Sequence, residues 1–376
     1  VTALILGGAT LTSLGDGAAT FTALLAGDAG PVPLAHGDPG RLRVTRGHHV
    51  PDGDPNTPFR ASGWLTRCVR EALDASAVDP ARTRVACVVG SGLRELAAVE
   101  LLDPRAVPVQ RLHFAHAVRR AAPEIGEVVT VSNACSAGGH ALALAQDMVE
   151  LGDADAVVVA ATDAMTESML AMIGRVADEP TDRVRPFDAG RTGVLLGEGA
   201  AAFVIVAEGS HRPDQRGAAL ARVLATGLSC DAHHETAPSA EGIGRAMRDA
   251  YHRAGRRPRE TGLVLAHGTG TALNDPTECA ALRDVLVADG GDPLITGVKG
   301  AVGHTSGVAA LTSLDVALRC LRTGRVPPIT GLRTPLPEGK DLRLLIGEPA
   351  PTPGGLVQLD AFGFGGVNAV TLLERP

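Results

Sequence analysis

The 376-residue sequence predicts an α/β fold whose strands are largely buried. Three observations carry that expectation. Short apolar runs of strand length alternate with longer stretches whose apolar residues recur at three- and four-residue spacing. Aromatic residues make up only 2% of a chain that is 45% hydrophobic, so the core must be packed from Ala, Val, Leu and Ile. Glycine-rich turns follow several of the strand runs, at corresponding places in the two halves of the chain.

In order, strands are expected over Ala3–Leu6, Val85–Val89, Val128–Val131, Ala156–Ala160, Ala201–Val206, Gly262–Ala266, Leu294–Gly297 and Val357–Asp360. Helices are expected over Gly63–Ser76, Ala137–Leu151, Gly242–Ala254, Pro276–Ala288 and Gly307–Arg322. The polar stretch Glu208–Gly217 (EGSHRPDQRG) reads as a linker, which divides the chain into halves 1–208 and 209–376. One half runs from a strand ending at Val131 through NACSAGG into a helix closed by Gly152. The other runs from a strand ending near Gly297 through VKGAVGHTSG into a helix closed by Gly324. These paired units hint at a duplication.

Composition excludes several classes. The net charge of −7, the absence of a basic run and the scarcity of aromatics argue against a nucleic-acid partner. A local patch of arginines could still attract an acidic carrier protein. Nearly all cationic residues are Arg, since Lys occurs only at Lys299 and Lys340, and this skew carries no functional weight. Six cysteines without a CxxC pair point to a reduced, cytoplasmic chain. The apolar start Val1–Leu6 is too short for a signal-peptide core or a membrane span and reads as a first strand. No carboxylate–histidine spacing suggests zinc, and the glycine-rich turns fit neither a Walker nor a GxGxxG pattern, so no metal or cofactor is expected.

The chemistry starts at Val128–His140, VVTVSNACSAGGH. A β-branched run stops at a turn of small residues, and a helix rich in Ala and Leu follows. Cys135 is thereby placed at a helix N-terminus, where free amides and the macrodipole stabilise a thiolate. The strand-to-helix elbow lifts such a side chain out of the sheet. The plain alternative is a buried structural cysteine, which is the reading given to Cys68, Cys87, Cys230, Cys279 and Cys320. Two histidines in distant glycine-rich turns are the best partners: His267, opening HGTGT, and His304, within KGAVGHTSG. A third such turn, FGFGGVN (Phe362–Asn368), offers backbone amides to an oxyanion. Other histidines read blandly. His140 lies about 140° around its helix from Cys135, His233 and His234 are structural, and His48 and His49 are solvated.

In this order, the blocks NACSAG, RPFDAGRTGVLLGEGAA, SCDAHHETAP, HGTGTALNDPTE, VKGAVGH and FGFGG resemble the β-ketoacyl synthases of the elongating class, polyketide ketosynthases included. The resemblance implies a thiolase-like fold: two similar βαβαβαββ halves in a five-layer αβαβα sandwich, as a homodimer or with a ketosynthase-like subunit. It implies that Cys135 takes an acyl group from a carrier-protein or CoA thioester. His267 and His304 would then promote decarboxylation of a malonyl thioester and stabilise the enolate. The amides of Cys135 and Phe364 would form the oxyanion hole, and Phe364 would gate the acyl pocket. Lys299 and Glu278 would form a supporting charged pair. A Cys-His-His set differs from the Cys-His-Asn pattern of initiating synthases.

Two departures stand out. The interval from Gly90 to Cys135 is shorter than in typical members, and Ser313 stands where many fatty-acid synthases place a Glu, which tilts the reading toward specialised metabolism. Three functions compete: decarboxylative condensation, acyl transfer without decarboxylation, and a non-catalytic partner shaping another subunit's pocket. Retention of Cys135, His267 and His304 together argues against the third.

Overall fold

The expected alternation of strands and helices builds one mixed sheet in which the same strand topology occurs twice. The computed structural model describes residues 2–27, 29–35, 37, 39–176, 179–210 and 219–376. In the first half the principal strands are β1 (Ala3–Thr12), β2 (Val85–Gly90), β3 (Val128–Val131), β4 (Ala156–Asp163) and β5 (Gly199–Ala207). In the second they are β6 (Ala221–Cys230), β7 (Thr261–Leu265), β8 (Leu294–Thr296), β9 (Leu356–Gly363) and β10 (Val367–Glu374). The order is β3-β2-β4-β5-β1 followed by β6-β10-β9-β7-β8, so each half, read from its outer edge to the centre, runs third, second, fourth, fifth, first. Strand directions repeat too. The second strand of each half is parallel to the third and fourth, and the fifth is antiparallel to the fourth and first. The halves join where β1 pairs antiparallel with β6, Ile5 opposite Ala221.

Six of the helices complete the layers: α1 (Arg60–Ser76), α2 (Ala115–Ala121), α3 (Ala137–Leu151), α4 (Ala240–Ala254), α5 (Asn274–Leu282) and α6 (Ala309–Thr323). Strand side chains alternate between faces, and the alternation decides which helix each strand meets. Ile5, Val88, Val159, Phe203, Val223, Leu265 and Leu359 pack with Leu142 and Ala145 of α3 and Leu311 and Leu314 of α6. Their neighbours Leu4, Cys87, Val158 and Val204 pack with Leu65 and Val69 of α1 and Val118 of α2. Val264, Ile295, Val370 and Leu372 pack with Ile243 and Met247 of α4 and Leu282 of α5. Helices α3 and α6 thus lie between the two half-sheets, with α1/α2 and α4/α5 outside. This is the five-layer, two-half sandwich that the resemblance implies.

All eight expected strands are present, most of them longer than expected. Two more were not foreseen. The run of β6 is interrupted by Arg222, Thr226 and Gly227, and β10 directly follows the turn that dominated the reading of its segment. The helix expected over Pro276–Ala288 is α5 continued by a wider π-helical turn, Arg283–Val287. Of the linker expected over Glu208–Gly217, Glu208–Ser210 form a 3₁₀ turn and the rest lies outside the described residues. Glu208 is no free connector, because Arg222 bonds it at 2.6 Å and also bonds Glu374 at 2.8 Å.

Candidate active site

Cys135 lies just past the end of β3, in the 3₁₀ turn Ala134–Ser136 that leads into α3. Ala134 adopts the left-handed conformation (φ 49°), a bend that a small side chain tolerates best. The turn is closed by the Ser136 hydroxyl, which donates to the Asn133 carbonyl at 2.9 Å. Three residues past the cysteine, a Cβ on Gly138 would come 2.6 Å from the Gly307 carbonyl, so the elbow of one half rests directly on a turn of the other.

The sulfur environment corrects the expectation of a stabilised thiolate. Burial pushes the Cys135 thiol up to about 11, against the opposing pull of the Lys299 charge, the Phe364 amide and its own amide. Cys135 starts one turn ahead of α3 rather than on it, and the low-dielectric surroundings outweigh the helix field. The resting Cys135 side chain is therefore a thiol. The Phe364 amide, in the FGFGG turn, lies near enough to the sulfur to pull the thiol down. The Phe364 side chain is 42% exposed.

His267 sits just beyond the end of β7, and His304 follows the short helix Lys299–Val302 after β8. Their rings meet edge to face, centroids 5.4 Å apart. The residue order explains how the turn of His267 is held. Glu278, projecting from α5, accepts from the His267 amide at 2.6 Å, the Gly268 amide at 2.8 Å and Asn274 Nδ2 at 3.0 Å. Asp275, one turn earlier, accepts from the amides of Phe187, Thr269 and Gly270. The Lys299 ammonium donates to the His267 carbonyl and lies 3.3 Å from its Nδ1. The Phe362 amide, also at 3.3 Å, donates to the same Nδ1. Two donors on Nδ1 make it the acceptor, so the ring proton belongs on Nε2. Burial and the Lys299 charge hold both histidines well below the usual imidazole range, hence neutral. His304 Nδ1 is buried and has no partner.

The charged pair expected of Lys299 and Glu278 is indirect. Both grip the backbone of His267, one at its carbonyl and one at its amide, and no ion pair between them is formed. Burial pulls Lys299 down to about 8, while the carboxylates around it resist that shift.

One buried carboxylate beside the site escaped the sequence reading. Asp163 ends β4 and accepts from the Ser91 hydroxyl at 2.6 Å and the amides of Leu93 at 2.8 Å, Gly92 at 2.9 Å and Gly307 at 2.7 Å. It ties the Ser91–Leu93 loop of one half to the turn just after His304 in the other. A lone Asp closing an apolar strand offers no motif by which to find it.

Three bland readings also need correction. His48 is 1% exposed rather than solvated, packed against Gly303 next to His304. His49 lies 3.5 Å from the buried Glu198. Cys230 is exposed, unlike Cys68, Cys87, Cys279 and Cys320, and all six cysteines are free thiols. His140 points its Nδ1 to the Ser136 carbonyl at 3.1 Å. His234 accepts from the amides of Thr236 and Ala237, a structural turn.

Beside the site, the Val184–Phe187 segment packs on Gly268, Gly270 and Gly331. There Arg46, Arg183, Arg185 and Arg333, with Asp182, line a hollow of about 420 Å³. Among the described residues no group of three His, Cys, Asp or Glu side chains is arranged to hold a metal ion. No helix among them is long and apolar enough to cross a membrane.

Residues 60–210 match the family described as Beta-ketoacyl synthase, N-terminal domain, and residues 220–333 match Beta-ketoacyl synthase, C-terminal domain. The chain is 35% identical over 252 residues to Nodulation protein E of Rhizobium meliloti. It is 32% identical over 260 residues to 3-oxoacyl-[acyl-carrier-protein] synthase 2 of Coxiella burnetii. Each match covers 66% of this chain and 62% of the relative's length. Among solved structures, the ishigamide ketosynthase/chain length factor superposes with a TM-score of 0.88 at 29% identity, covering 100% of this chain and 99% of that one.

Proposed function

The chain belongs to the β-ketoacyl synthase family, and we propose that it catalyses decarboxylative condensation of a Cys135-bound acyl group with a malonyl thioester. The observation that carries this reading is the double donation onto His267 Nδ1, which leaves a neutral imidazole with its proton on Nε2 beside a second neutral histidine. Two neutral imidazoles suit the stabilisation of an enolate oxygen without a metal.

In the first half-reaction the Cys135 sulfur attacks the acyl thioester and its proton leaves with the departing thiol. The covalent intermediate divides one difficult step into two. In the second, His267 and His304 hydrogen-bond the malonyl thioester oxygen, carbon dioxide leaves, and the enolate carbon attacks the acyl-Cys135 carbonyl. The amides of Cys135 and Phe364 hold the resulting oxyanion. Collapse releases the β-ketoacyl thioester and a Cys135 thiolate, which takes up one proton to restore the thiol. Lys299 and Glu278 support His267, and Phe364, exposed at the turn, gates the acyl pocket.

An acyl carrier protein is the proposed bearer of both thioesters; the arginine hollow beside the His267 turn supplies the positive surface an acidic carrier would meet. Association as a homodimer, or with a ketosynthase-like subunit, is supported by the open, half-exposed edge of β3. The exposed Leu101, Leu102 and Val109 of the shortened stretch support it too. Six free thiols favour a reducing, cytoplasmic setting. The division at 208/209 into two halves rests on the repeated topology. Specialised metabolism of polyketide or fatty-acid type is the proposed setting.

The test is incubation with malonyl-carrier protein. Carbon dioxide release that Cys135→Ala does not abolish, together with ketoacyl product that it does, is expected of the condensing reaction. Acyl transfer without carbon dioxide would instead identify a non-decarboxylating acyltransferase.

A further inference from the structure

The amide of Phe362 bonds His267, and two residues earlier β9 places a third carboxyl in the same interior: Asp360, 2% exposed. The three carboxyls there are unequally served. Asp275 accepts from three backbone amides and Asn274, and Glu278 from two amides and Asn274. Asp360 accepts from Gln358 Nε2 alone, at 2.8 Å, and its Oδ2 is buried without a partner. Tyr251 fixes that Gln358 amide, because its hydroxyl donates to Gln358 Oε1 at 2.6 Å.

Charge balance then decides where a proton sits. The groups facing this interior are Tyr251 from α4, Asp275 and Glu278 from α5, Lys299 and His304 after β8, His267 after β7, Cys135 ahead of α3, and Arg191 beside Asp275. With the histidines neutral, Lys299 and the Arg191 charge that acts on Asp275 face three carboxyls, so full ionisation would still leave one negative charge buried without compensation, which is costly. The carboxyl with the fewest donors is the one that keeps its proton. Burial and the Glu278 charge both push Asp360 well above the ordinary carboxylate range.

We propose that Asp360 is a positioning residue that holds a proton on behalf of the Lys299–His267 pair, so that Lys299 stays an ammonium as pH rises. When the cluster loses its first proton, the loss from Asp360 leaves an attractive Lys⁺–Asp⁻ pair, whereas loss from Lys299 leaves none. Asp360 therefore gives up its proton first, and the donor to His267 Nδ1 survives. This rests on the condensing function proposed above.

Asp360→Asn, isosteric and unable to ionise, tests it in the intact protein. Infrared difference spectra should show a buried protonated carboxylic acid in the wild type that is missing from D360N. Carbon dioxide release from malonyl-carrier protein by the wild type should fall as pH rises through about 8, the range of Lys299. The D360N limb should lie at least about one pH unit lower, so that D360N loses roughly tenfold more activity at the alkaline end than at the acid end. An unchanged limb, an equal loss at every pH, or an unchanged infrared spectrum overturns the proposal. A wild-type protein that releases no carbon dioxide would fail the functional reading instead, and the infrared spectrum would still decide the state of Asp360.

Discussion

Lys299 grips His267 twice, donating to its backbone carbonyl and lying 3.3 Å from Nδ1 of the same residue. Main chain and ring are thus set by one buried ammonium. Replacing it should loosen both, and Lys299→Met, which keeps the apolar stem, should slow carbon dioxide release by roughly 100-fold. The KM for the malonyl thioester should move much less, because the lysine acts through the histidine. Steady-state kinetics on malonyl-carrier protein checks the split.

Cys135 is expected to be slow toward alkylating reagents at neutral pH. Burial pushes its thiol up to about 11, so its alkylation rate should rise about tenfold per pH unit up to that range. Lys299 lowers the thiol pKa, so Lys299→Met should slow Cys135 labelling further. Exposed Cys230 should label first at neutral pH, and peptide mapping of iodoacetamide adducts over a pH series separates the two.

Removal of the nucleophile should abolish acylation outright. Cys135→Ser is expected to lose at least about 1,000-fold in product formation and to show no acyl adduct in intact-protein mass spectra. His304→Ala should behave differently, retaining the acyl adduct while losing carbon dioxide release.

Glu278 makes its contribution to stability as well as to the site. Glu278→Ala strips the partner from two buried amides and one of two acceptors from Asn274, and leaves Lys299 without its strongest compensating charge. A loss of about 3 kcal/mol is expected, read as a lower midpoint in urea unfolding.

The contact of the two halves behind Cys135 has no room to spare. Gly138→Ala would set a methyl 2.6 Å from the Gly307 carbonyl. Overpacking of about 1–3 kcal/mol should follow, with activity falling by more than stability alone explains, since Gly307 also donates to Asp163. Thermal unfolding and turnover measured side by side check this.

Much of the site was legible because its chemistry is written in local turns. A cysteine at a strand-to-helix elbow and histidines in glycine-rich loops are short-range patterns, so Cys135, His267, His304 and the FGFGG turn could be read directly. The strands β6 and β10 were missed because their alternation is interrupted or crowded by turn residues. The solvated reading of His48 failed for a related reason: nothing within a few residues of it reveals that Gly303 closes over the ring.

The sequence by itself determined the α/β alternation and the turns that carry Cys135, His267 and His304, since periodicity and turn chemistry act over a few neighbours. Only the tertiary structure decided their electrical state. It set Cys135 as a thiol rather than a thiolate, His267 with its proton on Nε2, Asp163 as the tie between halves and Asp360 as the carboxyl with the fewest donors. Those properties come from burial and from partners such as Lys299, 32 residues from His267, and Gly307, 144 residues from Asp163. Desolvation and charge act through space, and the order of residues does not record them.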